Sequence, residues 1–190
     1  MIRALVLLFA AVTLLAGVSQ ARAESFDTRD FMGGGPDFRA GGSSPIPRTT
    51  VNFASEYAPG TIIVNTAERR LYLVLPNGQA LRYGIGVGRD GFRWSGVHRI
   101  SAKKEWPGWT PPSQMLARRP DLPRHMAGGI ENPLGARAMY LGSTLYRIHG
   151  SNEPETIGQA VSSGCFRMTN DDVKDLYDRV SVGTTVVVKN

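Results

Sequence analysis

Two segments of this sequence stand out, and they read Ile148-His149-Gly150-Ser151 and Ser162-Ser163-Gly164-Cys165-Phe166-Arg167-Met168. They contain the only cysteine of the chain, one of its three histidines, and an arginine two positions after the cysteine. A Cys–His pair is the minimum set for catalysis by a thiolate, because the imidazole takes the thiol proton or holds the thiolate as an ion pair. Either effect activates a thiol whose ordinary pKa is about 8.5. The two segments therefore predict a nucleophilic cysteine.

A glycine next to each member of the Cys–His pair favours the catalytic interpretation. Gly164 directly precedes Cys165, which permits a tight turn and open access to backbone N–H groups that can hold an oxyanion. Gly150 follows His149, so its carbonyl is placed to orient the imidazole. The alternative is an inert cysteine beside a core histidine, since free cysteine is among the most buried residue types. The glycines and Arg167 argue against that alternative.

Taken together, the motif residues resemble the signature of the L,D-transpeptidase (YkuD) family. The resemblance rests on His149-Gly150, on residues 162–168, and on Asp172 with Leu176-Tyr177, and it covers roughly residues 58–190. Many family members carry a second histidine directly before the Gly-Cys pair, where this chain has Ser163. The fold that the resemblance implies is mainly β, a β-sandwich of mixed sheets capped by a short α-helix near the C-terminus.

The resemblance also implies a reaction, peptidoglycan L,D-transpeptidation. Cys165 attacks the third-residue carbonyl of a stem tetrapeptide, the terminal D-alanine leaves, and an acceptor amine resolves the thioester. His149 acts first as base and then as proton donor, with the Gly150 carbonyl orienting it. Backbone N–H groups around Ser163, Gly164 and Cys165 form the oxyanion hole. No cofactor is implied. The acceptor is left open among another stem peptide, an amine of an envelope protein, a free D-amino acid and water.

Further residues are assigned to the site with less defined roles. Arg167 grips a substrate carboxylate or, in the favoured interpretation, braces the loop, and Ser162 is grouped with it. An irregular segment at residues 101–135 predicts a lid or wall over the cleft, because so long a loop is usually functional. The aromatic candidates for the cleft wall, for which surface packing is the alternative, are Trp106, Trp109, Tyr140 and Tyr146.

The first 23 residues are typical of a secretory signal peptide. Arg3 precedes an apolar run at residues 4–18, and Ala21-Arg22-Ala23 is an A-x-A cleavage site. The run is shorter than the roughly 20 residues of a membrane span, although an uncleaved anchor is the alternative. We therefore expect a periplasmic, wall-associated protein without a stable membrane span. A lone cysteine in such an oxidising compartment cannot form an intramolecular disulfide.

The charge of the chain disfavours one class of partner. The formal net charge is +6, and removal of Arg3 and Arg22 with the signal peptide leaves +4. This modest excess suits an acidic wall polymer or an anionic membrane face. Scattered basic residues in an exported chain disfavour a nucleic-acid binder.

The chain divides into the signal peptide, a flexible Gly/Pro/Ser-rich tether at residues 24–58, and a catalytic domain at residues 59–190. Strands are predicted at residues 61–64, 70–75, 80–87, 138–141, 144–149 and 184–189. Asn77-Gly78 predicts a tight hairpin turn. One helical turn or two are expected at 113–117, a short helix near 156–161, and a helix from residue 169 with an apolar face on Val173, Leu176, Tyr177 and Val180.

Other functions are less consistent with these patterns. Gly86, Gly88 and Gly91 formally match G-x-G-x-x-G, but no helical pattern follows, so a dinucleotide site is rejected. His98 and His125 have no ligand spacing, which disfavours a metal site. The order His before Cys disfavours a papain-like peptidase, and the short separation disfavours a sortase. An L,D-carboxypeptidase with the same Cys–His site and a non-catalytic wall-binding module stay open as alternatives.

Overall fold

The computed structural model describes residues 44–190. The predicted signal peptide and residues 24–43 of the predicted tether lie outside the described residues. Within the described range, strands outnumber helices. The strands are β1 (Thr49–Asn52), β2 (Ile62–Asn65), β3 (Arg70–Leu75), β4 (Gln79–Gly84), β5 (Val87–Gly88), β6 (Gly96–Glu105), β7 (Arg137–Leu141), β8 (Arg147–His149), β9 (Ala160–Ser162), β10 (Phe166–Arg167) and β11 (Thr185–Lys189). The helices are α1 (Ser113–Arg118) and α2 (Asn170–Arg179), and a 3-10 turn covers Pro154–Thr156.

Nine of these strands form one mixed sheet, in the order β1-β4-β3-β2-β11-β6-β7-β8-β10, and β5 and β9 form a small parallel pair. In the large sheet the pairs β2–β11 and β8–β10 are parallel. The ten-residue strand β6 joins the two halves, because its first part pairs with β11 and its second part pairs with β7. The register shifts between Ile100 and Ala102, and such a bulge bends a strand. The sheet therefore curls at β6.

One apolar core lies between the two halves of the curled sheet. It joins Ile62 and Leu71 of the β1–β4 half to Met139 and Ile148 of the β7–β10 half, and all four side chains are fully buried. The architecture is therefore the mainly β, mixed-sheet fold that the resemblance implied, and that prediction is confirmed.

Helix α2 packs against β7 at the position predicted for the C-terminal helix. Its N-cap is Thr169, whose hydroxyl accepts a hydrogen bond from the Asp172 N–H at 3.3 Å. Val173 and Leu176 are fully buried. At the other end, Lys103 Nζ donates to the carbonyls of Tyr177 and Val180, which satisfies backbone acceptors of the last turn.

The predicted hairpin is present between β3 and β4. Asn77 has φ 62° and Gly78 has φ 67°, the paired positive values of a type I′ turn. Helix α1 also lies where a short helix was predicted.

The structure differs from the sequence prediction in four main places. In addition, β8 begins at residue 147 and not at 144, and neither β10 nor residues 96–100 of β6 were predicted as strand. Residues 101–105 continue strand β6 instead of beginning an irregular segment. The sequence signal was weak because this strand is largely polar. Residues 80–87 divide between two sheets, since β4 ends at Gly84 and β5 pairs with β9. The helix expected near 156–161 is a 3-10 turn followed by β9.

The fourth difference lies in the predicted tether. Residues 49–52 form β1, which pairs antiparallel with β4. Ile46 packs so closely on Gly84 that a Cβ on that glycine would lie 2.6 Å from the Ile46 Cβ. Arg48 makes ion pairs with Asp172 and Asp175. Contacts with residues distant in sequence, which local composition does not reveal, order this part of the segment.

None of the helices within residues 44–190 has the length and apolar character needed to cross a bilayer.

Candidate active site

The parallel pair β8–β10 places the predicted site residues on one face of the sheet. Arg167 is the register partner of His149, and Phe166 is the partner of Ile148. Ile148 and Phe166 point into the core, and successive strand side chains alternate between faces. His149 and Arg167 therefore share the outer face, and Cys165, one position before β10, falls on that face as well.

A cavity of about 400 Å³ opens on this outer face. Cys165 and His149 both line it, together with Ser162, Ser163 and Arg167. Its apolar wall comes mainly from the connections before and after α1 and from the segment before β8. The apolar and aromatic lining residues are Phe92, Trp109, Pro112, Met115, Pro133, Leu134, Leu145 and Tyr146.

His149 is buried and held in one tautomer. Its Nδ1 lies 2.6 Å from the carbonyl oxygen of Gly150. A carbonyl can only accept, so Nδ1 carries the hydrogen and Nε2 carries the lone pair. Burial, and next the charge of Arg167, lower the pKa of His149 to about 3, against hydrogen bonding to the backbone of Gly150 and of Pro133. The imidazole is therefore neutral at neutral pH, and in this tautomer Nε2 is the ring nitrogen that carries a lone pair.

Cys165 is a free, half-buried thiol. Burial raises its pKa, and Arg147 opposes that rise through its charge and hydrogen bonding. The resting site therefore holds a thiol, which donates to the Leu145 carbonyl at 3.8 Å, and a neutral imidazole that lines the same cavity. Of the two activation modes open from the sequence, this state favours proton withdrawal during the reaction over a permanent ion pair.

The loop that carries Cys165 is closed by Ser162. The Ser162 hydroxyl donates to the Cys165 carbonyl at 2.6 Å and accepts from the Gly164 N–H at 3.1 Å. The Gly164 N–H is thus already engaged in this structure. Among the three backbone donors predicted for an oxyanion hole, the N–H groups of Ser163 and Cys165 are left for that role.

Gly164 and Trp94 fix the shape of this loop. Gly164 has φ +107°, and a Cβ there would lie 2.5 Å from Cε1 of Tyr146. The indole Nε1 of Trp94 donates to the Gly164 carbonyl at 2.8 Å, and its ring stacks on Tyr146 at 4.4 Å. Sequence reasoning missed Trp94, since nothing in the residues around it points to a loop seventy positions away.

Arg167 is tied to the protein by side chain and backbone alike. Its guanidinium forms a 2.5 Å ion pair with Glu153, and the two side chains are only 6% and 1% exposed. Its backbone exchanges two 2.9 Å hydrogen bonds with Gly86. Sequence reasoning also missed Glu153, although an acid in the loop between the two motif segments was a visible partner for a motif arginine.

The aromatic candidates for the cleft wall separate into two pairs. Trp109 and Tyr146 line the cavity. Trp106 is 40% exposed and lies outside the lining, as does Tyr140, whose ring lies under the Arg147 guanidinium. The predicted wall from residues 101–135 is contributed by α1 and its neighbours, including Gln114 and Arg118.

The described residues also bear on a metal site and on the glycine motif at residues 86–91. No group of three or more His, Cys, Asp or Glu side chains among residues 44–190 could hold a metal ion. Gly88 lies in β5, where a Cβ would lie 2.5 Å from the carbonyl oxygen of Phe92 and 3.3 Å from Cα of Gly164. This glycine serves close packing against the backbone of Phe92 and against the cysteine loop.

Fold, site and sequence now define the class of protein. The family model for the L,D-transpeptidase catalytic domain (YkuD) matches residues 59–188, and the chain belongs to that family.

Individual relatives agree with this assignment. The probable L,D-transpeptidase ErfK/SrfK of Escherichia coli is 40% identical over 67% of this chain and 43% of its own. The probable L,D-transpeptidase YcfS of the same organism is 35% identical over 80% of this chain and 50% of its own. The chain thus spans about half the length of these curated relatives.

Solved structures share the fold. An L,D-transpeptidase from Mycobacterium smegmatis superposes with a TM-score of 0.57 at 18% identity, covering 70% of this chain and 59% of that one. A chain from Brucella melitensis, described as a probable carnitine operon oxidoreductase, is 48% identical with a TM-score of 0.53. It covers 77% of this chain and 96% of that one.

Proposed function

We propose that this protein is an exported peptidoglycan L,D-transpeptidase that works through a Cys165 thioester in the periplasm. The observation that carries the proposal is the shared cavity of Cys165 and His149, with the imidazole held by Gly150 in the tautomer that accepts a proton. Family membership adds the substrate class, the stem peptides of peptidoglycan.

The proposed first half-reaction moves one proton from sulfur to nitrogen. His149 Nε2 takes the Cys165 thiol proton as the sulfur lone pair forms a C–S bond to the third-residue carbonyl of a stem tetrapeptide. The carbonyl electron pair moves to oxygen and is held by backbone N–H groups of Ser163 and Cys165. The tetrahedral intermediate then expels the amine of the terminal D-alanine, which takes the proton from His149 and leaves a thioester.

The second half-reaction reverses these steps with a new amine. The acceptor amine loses a proton to His149, forms the new amide bond and releases the Cys165 thiol. A stem peptide as acceptor gives a 3-3 cross-link, and an amine of an envelope protein gives an attached protein. Water as acceptor gives an L,D-carboxypeptidase.

The role proposed for Arg167 is to brace the site. Its ion pair with Glu153 and its backbone bridge to Gly86 both bind it to the protein. This arrangement supports the brace over a grip on a substrate carboxylate. The proposed contribution of Trp109 and Tyr146 is apolar contact with the stem peptide.

The glycines at residues 86–91 give no support to an oxidoreductase activity of the kind named for the Brucella chain. A dinucleotide pyrophosphate binds where glycines open a helix after a strand. Here Val87–Gly88 pairs with β9, and no helix follows before β6.

The decisive experiment is incubation of the full chain with disaccharide tetrapeptide, followed by mass spectrometry. We expect a dimer mass with loss of one D-alanine, and loss of product in Cys165→Ala and His149→Ala. A monomer shortened by one residue would instead identify a carboxypeptidase. Undiminished product from Cys165→Ala would rule out the thioester mechanism.

A further inference from the structure

Arg147 occupies a position next to the nucleophile that the mechanism above leaves unused. Tyr140 of β7 is the register partner of Arg147 in β8. Because Ile148 is the partner of Phe166, the same parallel alignment brings Arg147 opposite Cys165. Arg147 and Cys165 both line the cavity. Tyr140, Arg147 and Cys165 thus form one cross-strand row, beside the row that contains His149 and Arg167.

The charge of Arg147 is not neutralised by the described part of the protein. No Asp or Glu among residues 44–190 forms an ion pair with it, whereas Glu153 pairs with Arg167 and Glu105 pairs with Arg137. Its Nε atom is buried and has no hydrogen-bond partner within the same range. The cavity lining formed by these residues contains no carboxylate.

The guanidinium is held in place by a ring. Its Cζ lies 5.1 Å from the centroid of Tyr140, within the range of a cation–π contact. Its orientation is therefore supported without an acid that would cancel its charge.

The other titratable groups around the sulfur do not supply an equivalent charge. From β8 and its approach come Tyr146 and His149, and His149 is neutral at neutral pH. From β10 comes Arg167, already paired with Glu153. Arg118 of α1 lines the cavity but is exposed, and its guanidinium lies over Phe92. The guanidinium of Arg89 also lies over the Phe92 ring, with Cζ 4.8 Å from the ring centroid.

We propose that Arg147 is the cation that stabilises the Cys165 thiolate while His149 carries its proton. A positive charge within about 4–6 Å of a thiolate favours the ionised form, most strongly where water is partly excluded. Arg147 acts through its positive charge alone and forms no covalent bond. The site then combines three groups, which are a thiol, a neutral base and a cation.

The test is the pH dependence of Cys165 alkylation by iodoacetamide, a neutral reagent, in the full chain. We expect the midpoint of the rate profile to rise by about one to two pH units in Arg147→Gln, which slows alkylation at neutral pH about 10- to 100-fold. Arg147→Lys, which keeps the charge, should restore most of the rate. Arg99→Gln removes an exposed arginine from β6 outside the cavity and should leave the midpoint unchanged.

Two results would overturn the proposal. One is an unchanged iodoacetamide midpoint in a folded Arg147→Gln variant. The other is a variant that slows only the anionic reagent iodoacetate, which would make Arg147 a carboxylate-binding residue alone. Arg147→Met, which keeps the apolar stem over Tyr140, provides a second neutral variant if the glutamine form fails to fold. Alkylation needs no peptidoglycan, so this test is independent of whether the proposed transpeptidation is correct.

Discussion

At the scale of single residues, His149 shows how burial sets chemistry. A histidine in an unfolded chain titrates near pH 6.5, whereas burial brings the pKa of His149 to about 3. The same burial that keeps the imidazole neutral as a base also makes it a source of acid sensitivity.

The stability of the protein should therefore fall as the medium becomes more acidic. Between pH 6.5 and pH 3 the unfolded chain binds a proton at His149 that the folded chain does not, so lower pH favours unfolding. We expect the free energy of unfolding to drop by about 2 kcal/mol between pH 7 and pH 5 because of this residue. Urea titrations at both pH values measure it.

His149→Gln is the control for that drop. The variant should lose the His149 contribution to this drop, while other groups whose pKa is raised by burial, such as Asp172, affect both proteins alike. Equal pH dependence in the two proteins would mean that His149 is not held neutral by folding.

Arg167 and Glu153 offer a second residue-scale prediction. Removing one partner of a buried ion pair leaves the other charge without compensation, at a cost of about 3–5 kcal/mol. We expect Arg167→Met to lose stability on that scale, measured by urea unfolding, and Arg167→Met combined with Glu153→Gln to recover part of it.

The exposed pair of Lys174 and Asp171 is the matched comparison for Arg167 and Glu153. Lys174→Met should cost less than about 1 kcal/mol, because surface pairs contribute little. A similar loss in both variants would contradict the role of burial.

At the scale of elements, the connection from β9 to β10 carries the nucleophile. Its conformation depends on Ser162 within the loop and on Trp94 and Tyr146 outside it. The loop is thus positioned by the segment before β8 and by the segment before β6, and its geometry should be sensitive to a single added methyl group.

Gly164→Ala tests that sensitivity. The new Cβ would meet Tyr146 at 2.5 Å, so we expect the cysteine loop to shift and the rate of product formation from disaccharide tetrapeptide to fall at least about 100-fold, as for a misplaced reacting group.

Gly183→Ala is the matched control for this loop variant. Gly183 has a similar φ of +95°, but a Cβ there meets nothing within 4 Å. In both variants backbone strain should lower the free energy of unfolding by about 1 kcal/mol, and only Gly164→Ala should lose activity. Equal loss of activity in both would assign the effect to strain alone.

At the scale of the whole molecule, the segment at residues 44–58 completes the fold. Strand β1 covers the edge of β4, and Arg48 links this segment to α2. A chain that begins at residue 59 would expose the edge of β4, and exposed edges promote association.

We expect the chain from residue 59 to melt at least about 5 °C below the chain from residue 44, and to associate more readily. Thermal denaturation and light scattering measure the two effects. Arg48→Gln in the longer chain removes the ion pairs but keeps strand β1. We expect it to lower the melting temperature far less than removal of residues 44–58 does. Identical melting of both chains would place the true domain boundary at residue 59.

Much of this molecule was readable from local pattern. Short apolar and β-branched runs predicted strands at β2, β3 and β11, Asn77-Gly78 predicted the turn, and helical periodicity predicted α2. These features depend on neighbours within a few residues, so the chain itself contains the information. The chemical types at Cys165 and His149 likewise pointed to a thiolate mechanism before any distance was known.

Tertiary structure decided the burial and the charged neighbours of each of those groups. The residues of strands β1 and β6 are largely polar, so little in the local sequence indicated a strand. These strands form because neighbouring strands provide partners for their backbone hydrogen bonds. Four features of the site depend on residues that are separated along the chain. They are the burial that keeps His149 neutral, the pairing of Arg167 with Glu153, the hydrogen bond from Trp94, and the placement of Arg147 beside Cys165. Burial and charge are properties of the assembled surroundings, so no local stretch of sequence could determine them.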